Sequence, residues 1–343
     1  MKTSNRIALS LFAFALFASA GLFAQKASIT YVEGVAHVKS AAGKLRAADF
    51  GGAVTYGESV ITGKDGLVEL QLENGSVIKV TQNSVFGYST TGTGSESRNV
   101  LATTAGKVSY KLNKATGGKS PVIQTNSMVA GVRGTEFTVF AGRDGSVLLA
   151  VTGGIVDVES QGQLVTLNKD EAVEVALGKA PGEKFTFLGK ELDFSSWNQG
   201  KMDSFFLDPA AGIDQAAIQL ETYKKALDAL KKPYEDTTAV WKKAVEDYKT
   251  VVAGGNADEA KAFQTDRLFP AQDARSTIIL NIRYYALNYL SVRRYVLSNM
   301  YMEMKSRYPA NRPDAVQKFF AKHAELLVTY EAGIVPELNP NDY

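Results

Sequence analysis

The run Leu67-Val68-Glu69-Leu70-Gln71-Leu72-Glu73-Asn74-Gly75-Ser76-Val77-Ile78-Lys79-Val80 decides the class of the first half of the chain. Val68, Leu70 and Leu72 alternate with polar residues and share one face, Leu67 being the exception, which is the period of a half-buried strand. Asn74-Gly75 interrupts the alternation with residues that supply the positive φ values a tight hairpin turn requires. Working outward, similar short runs occur at 29–38, 59–62, 107–112, 122–125, 136–140, 147–151, 155–158, 164–167 and 172–175. About ten strands with no helical period between them predict an all-β unit, a β-roll, solenoid or sandwich-like domain. Two polar stretches, Ser89–Asn99 and Asn113–Ser120, are expected to be surface loops.

After about Lys201 the period changes. Ala216, Leu220, Tyr223, Leu227 and Leu230 recur every three or four residues behind Asp214, a good N-cap type, and Lys231-Lys232-Pro233 is expected to end or kink that helix. A second amphipathic run carries Trp241, Val245, Tyr248 and Val252 and closes at Gly254-Gly255-Asn256. The third, from Arg275 to Arg307, would be ~50 Å long at 1.5 Å per residue. Its apolar stripe (Ile278, Ile282, Tyr285, Tyr289, Val292, Val296, Met300) is broad enough for the centre of a bundle. A fourth begins near Pro313 and carries Phe319, Phe320, His323 and Leu326. The fold class is therefore a mainly-β N-terminal domain followed by an all-α C-terminal helical bundle. Between them, Phe185, Phe187, Phe194, Trp197, Phe205 and Phe206 mark a connector with neither period, expected to dock because disordered linkers are poor in aromatics.

The N-terminus reads as a secretory leader: Lys2 and Arg6, an apolar run from Ile7 to Phe17, then Ala18-Ser19-Ala20, with Ala24 a second cleavage candidate. The run is short for a spanning helix, so no stable membrane span is expected after cleavage. The expected organisation is a signal peptide over 1–24, a β domain over 25–180, an aromatic-rich linker over 181–210, a helical domain over 211–335 and a tail over 336–343. Location in the periplasm, outside the cell or at the cell surface follows. Of the 38 Lys and Arg, two lie in the leader, so the mature chain balances its 36 Asp and Glu. Neutrality argues against nucleic acid, whose binding rests on clustered cations. With 0 Cys there is no disulfide framework, and hydrophobic cores must supply the stability.

Catalytic chemistry finds few residues to use. His37 and His323 fall in different expected domains, which excludes a zinc motif between them. No Gly-x-Ser-x-Gly elbow occurs, and Gly118-Lys119-Ser120 lacks the glycine and the following helix of a phosphate loop. Asp144 and Asp157 are isolated from any calcium ladder. A non-enzymatic protein without cofactor or metal is expected; an envelope glycosidase would need two carboxylates facing across a cleft. Tyr284, Arg294 and Tyr295, on the long helix, are candidates for an interface, because aromatic residues and Arg are enriched at such surfaces. In Gly131-Val132-Arg133-Gly134-Thr135-Glu136-Phe137 the apolar residues read as core and the glycines as special backbone. Arg133 is expected to be held by a carboxylate, Glu136 being one choice, or by backbone carbonyls.

This heptapeptide resembles the signature of the FecR domain family. Further landmarks follow the family's order: Gly57-Glu58-Ser59-Val60-Ile61-Thr62-Gly63, Asn74-Gly75-Ser76, Gly106-Lys107-Val108 and Val151-Thr152-Gly153-Gly154-Ile155-Val156-Asp157-Val158. The family is named for periplasmic regulators that relay a ferric-siderophore transporter's signal across the membrane to a sigma factor. Those members resemble one another in a cytoplasmic helical segment before a span, whereas here six residues precede the apolar run and the extra domain is C-terminal. The resemblance implies an exported β-module or a signal-transduction regulator of the parent type, and the exported, neutral, two-domain chain without catalytic groups adds the expectation of a binding and scaffold module for an envelope protein or a glycan.

Overall fold

A computed structural model describes residues 26–91, 98–114, 120–188, 190, 192–310 and 312–333. The expected leader (1–24) and the tail (336–343) lie outside the described residues, as do most of the Ser89–Asn99 and Asn113–Ser120 loops. In chain order the strands are β1 (Lys26–Glu33), β2 (Ala36–Lys39), β3 (Leu45–Ala47), β4 (Ala53–Thr55), β5 (Glu58–Thr62), β6 (Leu67–Gln71), β7 (Val77–Val80), β8 (Val85–Thr91) and β9 (Arg98–Lys111). They continue as β10 (Val122–Gln124), β11 (Val129–Val132), β12 (Glu136–Ala141), β13 (Val147–Gly153), β14 (Val156–Ser160), β15 (Gln163–Leu167), β16 (Glu171–Val175) and β17 (Phe185–Thr186).

These strands form a two-layer sandwich rather than a solenoid. One layer pairs β4-β1-β6-β7-β9-β12-β13-β16-β17. The other pairs β3-β2-β5-β8-β9-β10-β11-β14-β15. Strand β9 belongs to both, its first half in the second layer and its second half in the first. Alternate residues of each layer point inward, so that Val68, Leu70, Ile78, Tyr110, Phe137 and Leu149 meet Val60, Phe86, Leu101, Ile123 and Val158 in one buried core. Each sheet thereby covers the apolar face of the other.

The founding hairpin pairs as its alternation requires, Val68 opposite Val80 and Leu70 opposite Ile78. Its turn differs from the expected one. Gly75 alone takes positive φ, Gly75 N–H donates to the Leu72 carbonyl, Leu72 N–H donates to the Ser76 carbonyl, and the Asn74 side chain accepts from Ser76 N–H. That is a type I turn closed by a glycine bulge, in which Asn74 acts through its side chain rather than through its own backbone twist. The β12–β13 turn has the same form: Gly145 at positive φ, and Asp144 accepting from both Ser146 N–H and its hydroxyl. Asp144 is thus a turn residue.

Beyond the sandwich come α1 (Phe194–Leu207), α2 (Pro209–Ala253), α3 (Ala257–Phe263), α4 (Phe269–Ser291), α5 (Ser298–Arg307) and α6 (Asp314–Gly333), with π turns at Gln264–Leu268 and Val292–Leu297. The second and third helices depart from the sequence reading in three ways. Helix α2 starts at Pro209, and its cap, the Asp208 carboxylate on Ala211 N–H, lies six residues before Asp214. It then runs through Pro233 without ending. The long helix begins at Ala257 and reaches Arg307 as one helical run that absorbs both π turns. Its inward residues Tyr289, Val292, Val296 and Met300 pack with Ile213, Leu220 and Leu227 of α2 and Phe319 of α6.

The connector is docked, and half of it is helical. Phe187, Phe194 and Trp197 cover Leu148, Ala150 and Ala172 on the outer face of the first layer. Phe140 stacks on Phe194 with centroids 5.2 Å apart and meets the edge of Trp197 at 5.3 Å. Trp197 Nε1 donates to Glu174 at 2.8 Å. The far end of α1 turns Met202 and Phe205 into the helical core. One short helix therefore has two partners, and its apolar residues follow no single stripe.

Candidate functional site

The heptapeptide Gly131–Phe137 is the corner at which the chain leaves the second layer at β11 and enters the first at β12. Val132, Thr135 and Phe137 are buried, and Phe137 stacks on Tyr110 with centroids 4.9 Å apart. Gly134 makes the turn at φ +61°, a conformation that favours glycine. The return crossing from β13 to β14 lies against it: a Cβ on Gly154 would come within 2.7 Å of the Gly134 carbonyl oxygen. Two readings need correction. Gly131 has negative φ and open space at its Cβ. Arg133 is exposed, and neither Glu136 nor any other described residue holds it in an ion pair or hydrogen bond. The apolar neighbours of Arg133 point inward because the corner alternates, and that alternation sends the guanidinium out.

Immediately upstream, Thr125-Asn126-Ser127-Met128 joins β10 to β11 and is buried, although three of its four residues are polar. The Thr125 hydroxyl accepts from Ser127 N–H and Met128 N–H, at 3.1 and 3.0 Å. Asn126 Nδ2 donates to the Thr104 carbonyl at 2.9 Å, and Asn126 Oδ1 accepts from the Ser291 hydroxyl of α4 at 2.7 Å. The Tyr223 hydroxyl of α2 donates to the Asn126 carbonyl at 3.4 Å, and burial pushes that phenol up to about 12. Ser127 donates to the Gly145 carbonyl and Ser160 to the Ser127 carbonyl. Each side-chain polar group of Thr125, Asn126 and Ser127 finds a partner, so the turn fastens the sandwich to two helices through directional bonds.

Beside this turn a cleft of about 190 Å³ separates α4 from the outer face of the second layer. Register explains its floor. Ser59 lies opposite Gly87, Gly87 opposite Ala102, and Ala102 opposite Gln124, a row of small residues ending in one amide. The roof repeats at helical spacing: Tyr284, Leu287, Asn288 and Ser291, continued by Arg294 and Tyr295 in the π turn. All three interface candidates from the sequence, Tyr284, Arg294 and Tyr295, thus line one cleft. Asn288, Ser291 and Gln124 escaped the sequence reading; the available signal was a polar pair one turn apart beside the apolar stripe of the long helix.

The cleft is uneven in charge. Glu58 is engaged by Arg46 at 2.9 Å and by Thr55 N–H at 2.9 Å. Arg283 reaches Gly57, and Arg294 stands near Lys39, whose ammonium is pushed below its ordinary value by burial and then by that guanidinium. Burial raises the Tyr284 phenol, with Tyr223 and Tyr285 adding to the shift, so the hydroxyl stays neutral. Asn288 is buried, and its amide nitrogen has no hydrogen-bond partner among the described residues. Elsewhere, no group of three or more His, Cys, Asp or Glu could hold a metal among the described residues, and no described helix is long and apolar enough to cross a membrane.

Residues 58–157, from β5 to β14, match the family model described as FecR protein. A putative anti-sigma factor from Parabacteroides distasonis ATCC 8503 is similar in two crystal structures. One is 19% identical over 37% of this chain and 59% of that chain, the other 20% over 41% and 65%, each with a TM-score of 0.33. This chain thus spans 59 to 65% of the length of those relatives. A structure described as a cell surface anchoring domain is 28% identical over 18% of this chain and 80% of that one, with a TM-score of 0.17. No curated protein matches. The match over residues 58–157 is consistent with a non-enzymatic envelope protein, periplasmic or extracellular.

Proposed function

We propose that this chain is an exported regulator of the FecR type, acting through contact with another envelope protein. The observation that carries the reading is the match over residues 58–157, a stretch that holds the Gly131–Phe137 corner and its return crossing, the polar turn and most of the cleft floor. The named regulators of the family transmit a signal through protein contact, which needs no catalytic cluster. Docking of the helices on the sandwich supports the same reading. Packed contacts and hydrogen bonds between units carry coupling from one to the other, and the Asn126 bonds to Ser291 and Tyr223 join the two units in that way.

Deleting the gene and restoring it with the full exported chain tests this. A regulator predicts a small set of transcripts that changes on deletion and returns on restoration. An unchanged transcript profile, with an envelope protein losing its location instead, would favour a passive scaffold or binding module. That second reading draws on the neutral, two-part chain and its aromatic cleft.

A further inference from the structure

We infer that the cleft between α4 and the outer face of the second layer binds a single acidic sugar, a pyranose carrying a carboxylate. The inference goes beyond the regulator reading and stands or falls without it.

Size sets the first limit. Pockets for drug-sized ligands run from about 300 Å³ upward, whereas this cleft holds about 190 Å³, enough for one sugar ring. Its lining sets the chemistry. Ser59, Ser89 and Thr104 bring hydroxyls, Gln124 and Asn288 amides, and Tyr284 and Tyr295 aromatic rings to its lining. Groups that both donate and accept, set beside aromatic faces, match the alternating hydroxyls and apolar faces of a sugar. Asn288 is the sharpest of these observations. A buried amide nitrogen without a partner is costly to keep, and Asn288 lines the cleft, where a sugar oxygen would give that donor an acceptor. The floor can accept a ring because its central positions are Gly87 and Ala102.

Charge selects an acid. Arg294 lines the cleft and Lys39 stands by it, a like-charged pair that an anion would relieve. Arg283 adds a cation at Gly57. Among the described lining residues Glu58 is the carboxylate, and its oxygens already serve Arg46 and Thr55 N–H. An amino acid would bring an ammonium with no counter-charge to meet, whereas a uronic acid brings only the carboxylate and hydroxyls.

Isothermal titration of the purified full chain with sodium glucuronate, glucose, glutamate and inorganic phosphate tests the assignment. Glucuronate is expected to bind, with glucose at least about 10-fold weaker, the value of one charge-assisted hydrogen bond, and with no heat from glutamate or phosphate. Asn288→Leu should weaken glucuronate at least about 10-fold while leaving the melting temperature of the unliganded chain the same or higher. Should that buried change disturb folding, Arg294→Gln, at an exposed position, should still bring glucuronate down to the affinity of glucose. No glucuronate binding, equal binding of glucose, phosphate binding as tightly as glucuronate, or indifference of folded variants to both substitutions overturns the site.

Discussion

A Cβ at position 106 would sit 2.3 Å from the Ser84 hydroxyl oxygen and 2.5 Å from the Asn83 carbonyl oxygen, on a backbone already at φ +76°. That is where β9 passes from one layer to the other, so Gly106→Ala should cost roughly 2–4 kcal/mol in urea unfolding. Arg133→Ala should stay within about 0.5 kcal/mol, as surface changes do; a larger loss would restore the expectation that a carboxylate or backbone carbonyls hold the guanidinium. The heptapeptide's inward residues were legible from alternation alone. Its guanidinium was not, because a pattern of neighbours does not say which way a corner turns. His323 gives a pH test. Burial pushes its imidazole below the ordinary value, Arg293 adding and the Leu297 backbone opposing. The unfolded chain therefore takes up the proton first. Stability from the neutral ring is full above about pH 6.5 and is lost as pH falls through that value toward the lower folded one. From about pH 7.5 to 5 the wild type should lose more melting temperature than His323→Leu; parallel curves would contradict the shift.

At the scale of elements, the hairpins were readable because each strand buries one face against one partner, as at Val68 and Leu70. Elements with two partners were hidden. Helix α1 turns Phe194 and Trp197 to the sheet and Phe205 to the bundle, so its sequence carries no single stripe. Pro233 misled for a different reason. Packing on both sides of it holds α2 together, and Thr237 bonds to the Pro233 carbonyl at 2.7 Å. The local penalty of a helical proline, up to about 3 kcal/mol, is outweighed by burial along a 45-residue helix. Replacing it with a strong helix former should raise stability: Pro233→Ala is expected to add about 1–3 kcal/mol in chemical unfolding. Asp208→Ala should remove about 1 kcal/mol by uncapping the same helix, and no change would place the true start of α2 elsewhere. Asp214 looked like the cap because capping residue types recur inside helices, and only the first with free N–H groups after it can act.

For the whole molecule, the sequence announced two units and a docked connector but not what fastens them. The bonding turn is polar, and polar residues between apolar strands read as a surface loop; only the fold brings Asn126 to Ser291 and Tyr223. Removing the Asn126 side chain strands the Ser291 hydroxyl and the Thr104 carbonyl inside the interface, so Asn126→Ala should cost about 2–4 kcal/mol. The Arg143–Glu303 pair at 2.9 Å is exposed and should contribute little. Whether the sandwich and the helices act as one docked body is tested most directly by scanning calorimetry of the full chain. One docked body unfolds in one endotherm whose calorimetric and van't Hoff enthalpies agree, splitting into two in Asn126→Ala. Two separate transitions in the wild type, unmoved by that substitution, would contradict it.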